Sequence, residues 1–215
     1  MTGNGRTSTA ERKQELRRHL RARRREVYGG PGGAELRARE AELVLTHAAP
    51  LRELVQGLEA PLVAAFHPTP TEADVMPLAA ALAAAGARLV FPAAGAGEQL
   101  EWIFWDGLSP FRDSPSRGFG QEPDGERLGT DALRTAALVL APALAVDRSG
   151  TRLGHGAGYY DRALTTLPAT ARVVAVISPG DLLAAGALPR DAHDVPIPEV
   201  LTADGLVSLV TSERR

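Results

Sequence analysis

From Leu62 onward the chain alternates short apolar runs with helix-forming segments, and that alternation limits the folds open to it. Leu62–Phe66, Arg88–Phe91, Leu100–Trp105, Leu138–Ala141, Val173–Ile177 and Val207–Val210 read as strands. Runs this short, apolar and bounded by Gly, Pro or polar residues suit strands buried on both faces. Asp74–Ala85 reads as an alanine-rich helix closed by Gly86, Tyr159–Leu167 as another, and Asp181–Ala185 as a short one. Strands that alternate with helices imply an α/β layered fold, a mostly parallel sheet flanked by helices in a Rossmann-like single domain. The 215 residues, 44% hydrophobic, suit one large domain with no need of staples.

Two helices precede this unit. Ser8 and Glu11 match a capping box for a helix over Ala10–Val27, which Gly29-Gly30-Pro31-Gly32-Gly33 ends. A second helix spans Ala34–Ala48, and Pro50 breaks it. Met1–Ser8 is expected to be flexible. Asp106–Glu126, rich in Gly, Pro and Ser, reads as a long loop. Loops of that length in compact domains are usually functional or mobile.

Composition excludes several chemistries. There is no cysteine, hence no disulfide, thiolate metal site or cysteine nucleophile. No apolar run approaches the ~18 residues of a membrane span. Met1–Ala10 is polar and lacks the apolar core of a secretory signal, so a cytoplasmic protein is expected. Net charge is −2, so nothing global calls for nucleic acid or acidic lipid. No Gly-x-Ser-x-Gly elbow is present, and the order of residues shows no His–acid dyad.

Gly150-Thr-Arg-Leu-Gly-His-Gly-Ala-Gly-Tyr-Tyr-Asp-Arg162 is the segment with the most chemistry in it. Gly154, Gly156 and Gly158 leave the backbone bare enough to approach a ligand and aim N–H groups at an anion. Arg152 supplies a cation and Asp161 a carboxylate of the kind Mg²⁺ takes beside substrate phosphates. It is neither a Walker A loop nor a dinucleotide fingerprint: no Gly-Lys-Ser/Thr closes it, and no strand runs directly into it. It follows the strand 138–141 by some ten residues, which suits the ligand-binding end of a parallel sheet. A plain flexible turn into a helix is the alternative.

Of 24 basic residues only Lys13 is lysine, which leaves 23 arginines. Lys13 and Arg17 share a helix face and repel unless an anion lies between them; a polyphosphate would serve. A solvated basic face is the competing reading, since Arg18, Arg21, Arg23, Arg24 and Arg25 crowd the same helix. Glu72 and Asp74 follow the first strand, either as substrate-orienting carboxylates or as helix-capping acids. In Asp191-Ala-His-Asp194 a single His beside acids reads as a surface turn rather than a zinc site.

Taken in order, these pieces resemble the 5-formyltetrahydrofolate cyclo-ligase (5,10-methenyltetrahydrofolate synthetase) family. The resemblance rests on Pro142 and on Asp147-Arg-Ser-Gly-Thr-Arg-Leu-Gly154 leading to Gly156-Ala-Gly-Tyr-Tyr-Asp161. Weaker matches lie at Lys13-Gln-Glu-Leu-Arg17, Glu72-Ala-Asp74 and His193-Asp194-Val-Pro. It implies ATP and Mg²⁺ acting on 5-formyltetrahydrofolate, small-molecule partners and a monomer. By resemblance, Lys13, Arg17 and Arg152, Leu153, Gly154, His155, Gly156, Ala157, Gly158, Tyr159 and Tyr160 bind ATP. His155–Tyr159 also meet the folate, with Glu72, His67 and Phe119. Asp161 and Asp194 ligate Mg²⁺, and Arg152 and Tyr159 serve catalysis. The chain departs from the family pattern at Ala157, where lysine or glycine is common, and at Pro198, which replaces a second acid. A non-catalytic folate or nucleotide sensor and an RNA-associated protein remain as competing readings.

Overall fold

A computed structural model describes residues 8–95, 99–116 and 119–209. The expected flexibility of Met1–Ser8 concerns, for residues 1–7, a part outside the described residues. In chain order the helices and strands are α1 (Thr9–Tyr28), α2 (Gly33–His47), α3 (Ala49–Gln56), β1 (Leu62–Ala64), α4 (Met76–Ala84), β2 (Arg88–Ala94), β3 (Leu100–Trp105), β4 (Phe111–Asp113), β5 (Gln121–Pro123), β6 (Arg127–Gly129), β7 (Ala136–Pro142), β8 (Ala145–Asp147), β9 (Arg152–Leu153), α5 (Tyr159–Leu164), β10 (Arg172–Val176), β11 (Leu182–Leu183), β12 (Glu199–Thr202) and β13 (Gly205–Ser208).

Eight strands form the main sheet in the order β13-β12-β10-β7-β1-β2-β3-β6. The five inner strands from β12 to β2 run parallel, and β13, β3 and β6 pair antiparallel at the margins. The layered α/β architecture with a mostly parallel sheet is therefore present. Alternation within the strands sorts the core. Val63, Leu89, Phe91, Leu138, Leu140, Val174 and Leu201 face α2, α3 and α4 through Val44, Leu51, Val55, Leu78 and Leu82. Leu62, Ala64, Val90, Val139, Ala141, Ala175 and Val200 face the other side with Leu133, Leu164 and Ile197. A third cluster docks Leu20 of α1 on Leu144, Ala145, Leu153 and Leu188, beside the small sheet β11-β8-β9.

Several boundaries differ from the sequence reading, each for a physical reason. Pro50 does not end structure; it sits in the first turn of α3, where its missing N–H is not needed. The 106–126 segment holds the hairpin β4/β5, with Phe111 opposite Pro123 and Asp113 opposite Gln121. Asp181–Ala185 is not a helix but a 3-10 turn at Pro179–Asp181 followed by β11, which pairs with β8. The helix starting at Tyr159 stops at Leu164, and α4 starts at Met76, whose N–H donates to Asp74 Oδ1 at 3.1 Å. The last strand is Gly205–Ser208, and Val210 lies outside the described residues. The capping box forms as expected: Glu11 N–H donates to Ser8 Oγ and Ser8 N–H to the Glu11 carboxylate. Leu138 is fully buried at the centre of the sheet. Leu138→Ala is expected to lower unfolding free energy by about 2–5 kcal/mol, read as a fall in the urea midpoint with the slope unchanged.

Candidate active site

The chain leaves β1 through α4 to β2 in one direction and reaches β10 and β12 from β7 in the other, so strand order reverses between β1 and β7. Crevices beyond the carboxyl ends of strands at such a reversal are where open parallel sheets bind ligands. A cleft of about 1030 Å³ opens there. Phe66, His67, Thr69 and Glu72 enter it from the end of β1, Pro142 from β7, and Phe119 to Gln121 from the β4/β5 hairpin. Residues 152–162 form one wall, and α1 with residues 191, 193 and 194 forms the other. Every residue that the sequence reading placed at the site lines this cleft.

A short strand does run into the glycine loop, contrary to the sequence reading: β9, Arg152–Leu153, pairs with β8 through Ala145–Leu153 and Val146–Arg152. Two residues were too few to show as a periodic pattern. Pinning by β8 fixes Arg152, whose side chain is 4% exposed. Its Nη1 donates to Pro142 O at 3.2 Å and its Nη2 to Asp161 Oδ2 at 2.8 Å, while Nε is buried without a partner. The Tyr160 hydroxyl is also buried and unpartnered, and burial pushes its pKa far above the usual phenol range, so it keeps its proton. Buried polar atoms left unpaired in a cleft wall call for a ligand. Gly156 and Gly158 sit at φ +118° and +70°, a region that side chains rarely tolerate.

Three arginines hold the loop by its carbonyls. Arg17 Nε donates to Gly154 O at 2.9 Å, Arg21 Nη2 to His155 O at 3.0 Å, and Arg162 Nη2 to Ala157 O at 3.0 Å. Positive charge thus reaches the loop around Ala157 from α1 and α5. Lys13 is buried and donates to Asp191 Oδ2 at 2.9 Å and Asp194 Oδ2 at 2.5 Å. Burial pulls its pKa down, but the two carboxylates outweigh burial and raise it, so it is a fixed cation. The anion between Lys13 and Arg17 that the sequence reading sought is thus partly provided by Asp194 and Asp191. The solvated-face reading fails for Arg24, which is 3% exposed.

Glu72 and Asp74 divide the two roles that the sequence left open. Asp74 caps Met76 and pairs with Arg37 Nη1 at 3.1 Å. Glu72 is buried in the cleft, its Oε2 accepting the Thr69 N–H at 2.8 Å and its Oε1 lying 2.8 Å from His155 Nε2. An ionised carboxylate only accepts, so Nε2 carries the hydrogen. This is a His–acid pair formed across 83 residues, which the order of residues did not reveal. Burial pushes the Glu72 carboxyl up; the hydrogen bond and charge of His155, the Thr69 N–H and the charge of Arg24 outweigh it and hold the pKa below the usual value. His67 stacks on Phe111 with centroids 4.4 Å apart, and burial lowers its pKa, which favours the neutral ring. Phe119 stands edge-on to Tyr159 at 6.2 Å.

The carboxylates gather at one end. Asp191, His193 and Asp194 bring ligand atoms within 4.8 Å of one another. Asp161 lies beside them, its Oδ1 accepting the Val195 N–H at 3.4 Å. Sequence reasoning missed Arg21, Asp191 and Arg162. Arg21 was within reach, because it continues the four-residue spacing of Lys13 and Arg17; Asp191 stood in an acidic cluster read as a surface turn, and Arg162 carried no pattern of its own.

Together the fold and cleft define an α/β enzyme with a switch-point cleft walled by cations on two sides and carboxylates at one end. A model of the 5-formyltetrahydrofolate cyclo-ligase family matches residues 9–203. A 5-formyltetrahydrofolate cyclo-ligase of Mycolicibacterium smegmatis is 38% identical over 156 residues, covering 68% of this chain and 76% of that one. The 5,10-methenyltetrahydrofolate synthetase of Aquifex aeolicus superposes with a TM-score of 0.70 at 25% identity, covering 94% of this chain and 95% of its own. That of Mycoplasma pneumoniae gives 0.63 at 17%, over 89% and 98%, a likeness of fold. The chain belongs to the 5-formyltetrahydrofolate cyclo-ligase family, ligases of folate metabolism. Among the described residues no helix is long and apolar enough to cross a membrane.

The depressed pKa of Glu72 gives a pH prediction. Such a group stabilises the fold above its unfolded value of 4.5, and this stability is lost as pH falls through the lower, folded value. Urea titrations should show unfolding free energy dropping below pH 4.5, and Glu72→Gln should make that drop shallower.

Proposed function

We propose that this chain catalyses the ATP- and Mg²⁺-dependent closure of 5-formyltetrahydrofolate to 5,10-methenyltetrahydrofolate, with release of ADP and phosphate. One observation carries the reading. Lys13 and Arg17, Glu72, the 152–161 segment and Asp194 come from four distant parts of the chain and line a single cleft. Its volume is at the upper end of the ~300–1000 Å³ range of small-molecule sites, as two substrates side by side require.

A formyl group on N5 is an amide and a poor electrophile. Its oxygen attacks the γ-phosphorus of ATP, an O–P bond forms, and the bond to ADP breaks. N10 of the same molecule then attacks the formyl carbon. The N10 proton is lost, phosphate departs with the formyl oxygen, and the five-membered ring closes. Both steps move negative charge over phosphoryl oxygens, so fixed cations aimed at them lower the barrier. Arg152 is such a cation, held by Pro142 O and Asp161, with its Nε free of other partners. Arg17 and Arg21 close the opposite wall, and the bare Gly154–Gly158 backbone lets a phosphate chain approach. Glu72 holds the folate as a buried acceptor for ring N–H groups, with His67 and Phe119 flanking it. Ring closure is intramolecular, so the protein's task is to hold the reactive conformer; Tyr159 and Phe119, edge to face, form part of that wall. The proton lost by N10 need not pass to the His155–Glu72 pair, since the departing phosphate is itself a base.

The acids fit Mg²⁺ by chemistry. Asp161 and Asp194 each commit one oxygen to a cation, Arg152 and Lys13 respectively. Among the described residues, their other oxygens meet a 3.4 Å N–H and the His193 ring at 3.9 Å. Hard carboxylate oxygens with a place left for substrate phosphates suit Mg²⁺, and Asp161 and Asp194 would hold it, with Asp191 beside them. When bound, the ion neutralises phosphoryl charge.

Ala157 and Pro198 favour a second reading, a folate or nucleotide sensor without turnover. The deciding experiment mixes purified protein, Mg-ATP and 5-formyltetrahydrofolate and follows the methenyl chromophore with ADP release. Stoichiometric chromophore and ADP support the ligase; calorimetric binding of both ligands with no chromophore sinks it. Arg152→Ala should lower kcat/KM for ATP by about 10²–10³, the loss typical of one aimed donor. An unchanged value would remove Arg152 from the site.

A further inference from the structure

Helix α1 carries a buried arginine that the reaction scheme leaves without a role. Arg24 is 3% exposed and touches three separate segments. Its Nε donates to Asp181 Oδ2 at 2.9 Å, its Nη2 donates to Ala143 O at 2.7 Å and Leu144 O at 3.1 Å, and its Nη1 lies 3.9 Å from Glu72 Oε1. Asp181 is also buried, and Arg23 pairs with its other oxygen. Among the described residues, Arg24 and His155 are the two basic side chains within ion-pair reach of the Glu72 carboxylate.

Those two neighbours of Glu72 differ in kind. His155 belongs to the glycine loop, its side chain is 46% exposed, and it occupies the same Oε1 that a substrate would need. Arg24 is locked on three sides by groups that no ligand reaches. A substrate donor arriving at Oε1 displaces His155 and cannot displace Arg24. A carboxylate that is nearly withdrawn from water stays charged only beside a compensating group. Resting on the proposed cyclo-ligase reading for what Glu72 binds, we infer that Arg24 is a positioning residue: the permanent counter-charge that keeps Glu72 ionised and aimed into the cleft while His155 exchanges with the folate.

Other charges face Glu72 as well. Arg37 of α2 donates to the Glu72 main-chain oxygen at 2.7 Å. His67 and Asp74 flank it on the same segment, and the neutral Tyr160 approaches from α5. Arg37 is committed to Asp74 and to a carbonyl, so it does not replace Arg24 at the carboxylate.

Removing Arg24 alone strands Asp181 in the interior and risks misfolding, so the informative variant is the neutral pair Arg24→Gln with Asp181→Asn. It keeps polar groups at both positions, shortens the side chain at 24 and removes both charges. Asp181→Asn alone is the control, and Arg24→Lys tests rescue by charge. Folding is checked by thermal melts. Affinity for 5-formyltetrahydrofolate and for ATP is measured by calorimetry between pH 5 and 8, together with the pH profile of kcat/KM for the folate. Without the counter-charge the Glu72 carboxyl protonates more readily, so the acid limb moves to higher pH. The expected result for the pair is a limb raised by about one unit and folate affinity that falls increasingly below the parent's as pH drops from 8 to 5, toward the tenfold limit of a one-unit shift. ATP affinity should change less than about twofold, Asp181→Asn should keep the parent's acid limb although it is less stable, and Arg24→Lys should recover most of the loss. A folded pair with the parent's acid limb and folate affinity would reduce Arg24 to a structural strut and overturn the inference. Failure of the parent protein to turn over is a different result, and it would strike the cyclo-ligase reading; the binding arm decides the role of Arg24 in either case.

Discussion

Lys13 and Arg24 stand three turns apart on α1, about 16 Å along its axis, and both are nearly withdrawn from water. Each is held by carboxylates more than 150 residues away: Asp191 and Asp194 for Lys13, Asp181 for Arg24. Paired buried charges of this kind contribute little net stability, but removing one partner is costly, because the other is left stranded. Their value here is placement. The two pairs hold α1 at points on either side of Arg17 and Arg21, which grip the glycine loop. The cleft is walled on that side by α1 with Asp191, His193 and Asp194, so the site draws on this docking.

The same docking joins two subsites. Glu72, at the end of β1, reaches the glycine loop through His155 on one side and α1 through Arg24 on the other. The residues assigned to the folate and those assigned to ATP therefore share one charge network. A reaction in which the folate's own oxygen must meet the γ-phosphate needs that closeness.

Much of this was legible in the sequence, and what was not has a common cause. Six of the eight strands of the main sheet showed, the inner ones because they are buried on both faces and hence uniformly apolar, as in Leu138–Ala141; β6 and β12 did not. The glycine loop showed because bare backbone leaves a compositional mark. Lys13 stood out as a single ammonium among guanidiniums, and the structure gives it two carboxylates to bridge. The segments β8, β9 and β11 were missed because strands of two or three residues have no period to detect. Pro50 was misread because a proline that stops one helix and one that starts the next look alike locally. The His155–Glu72 contact and the burial of Arg24 were invisible for a different reason. Both are tertiary facts: Arg18, Arg21, Arg23, Arg24 and Arg25 are chemically equivalent on paper, and what separates Arg24 from the rest is burial against Asp181, Ala143, Leu144 and Glu72 together.

The central claim is that the formyl oxygen is phosphorylated in this cleft and leaves with the phosphate. It can be tested with 5-formyltetrahydrofolate carrying ¹⁸O in the formyl group, incubated with the protein and Mg-ATP, and mass analysis of the released phosphate. The account predicts one ¹⁸O atom per phosphate formed, in step with methenyl product. Phosphate free of label, with the isotope recovered in water, would contradict it.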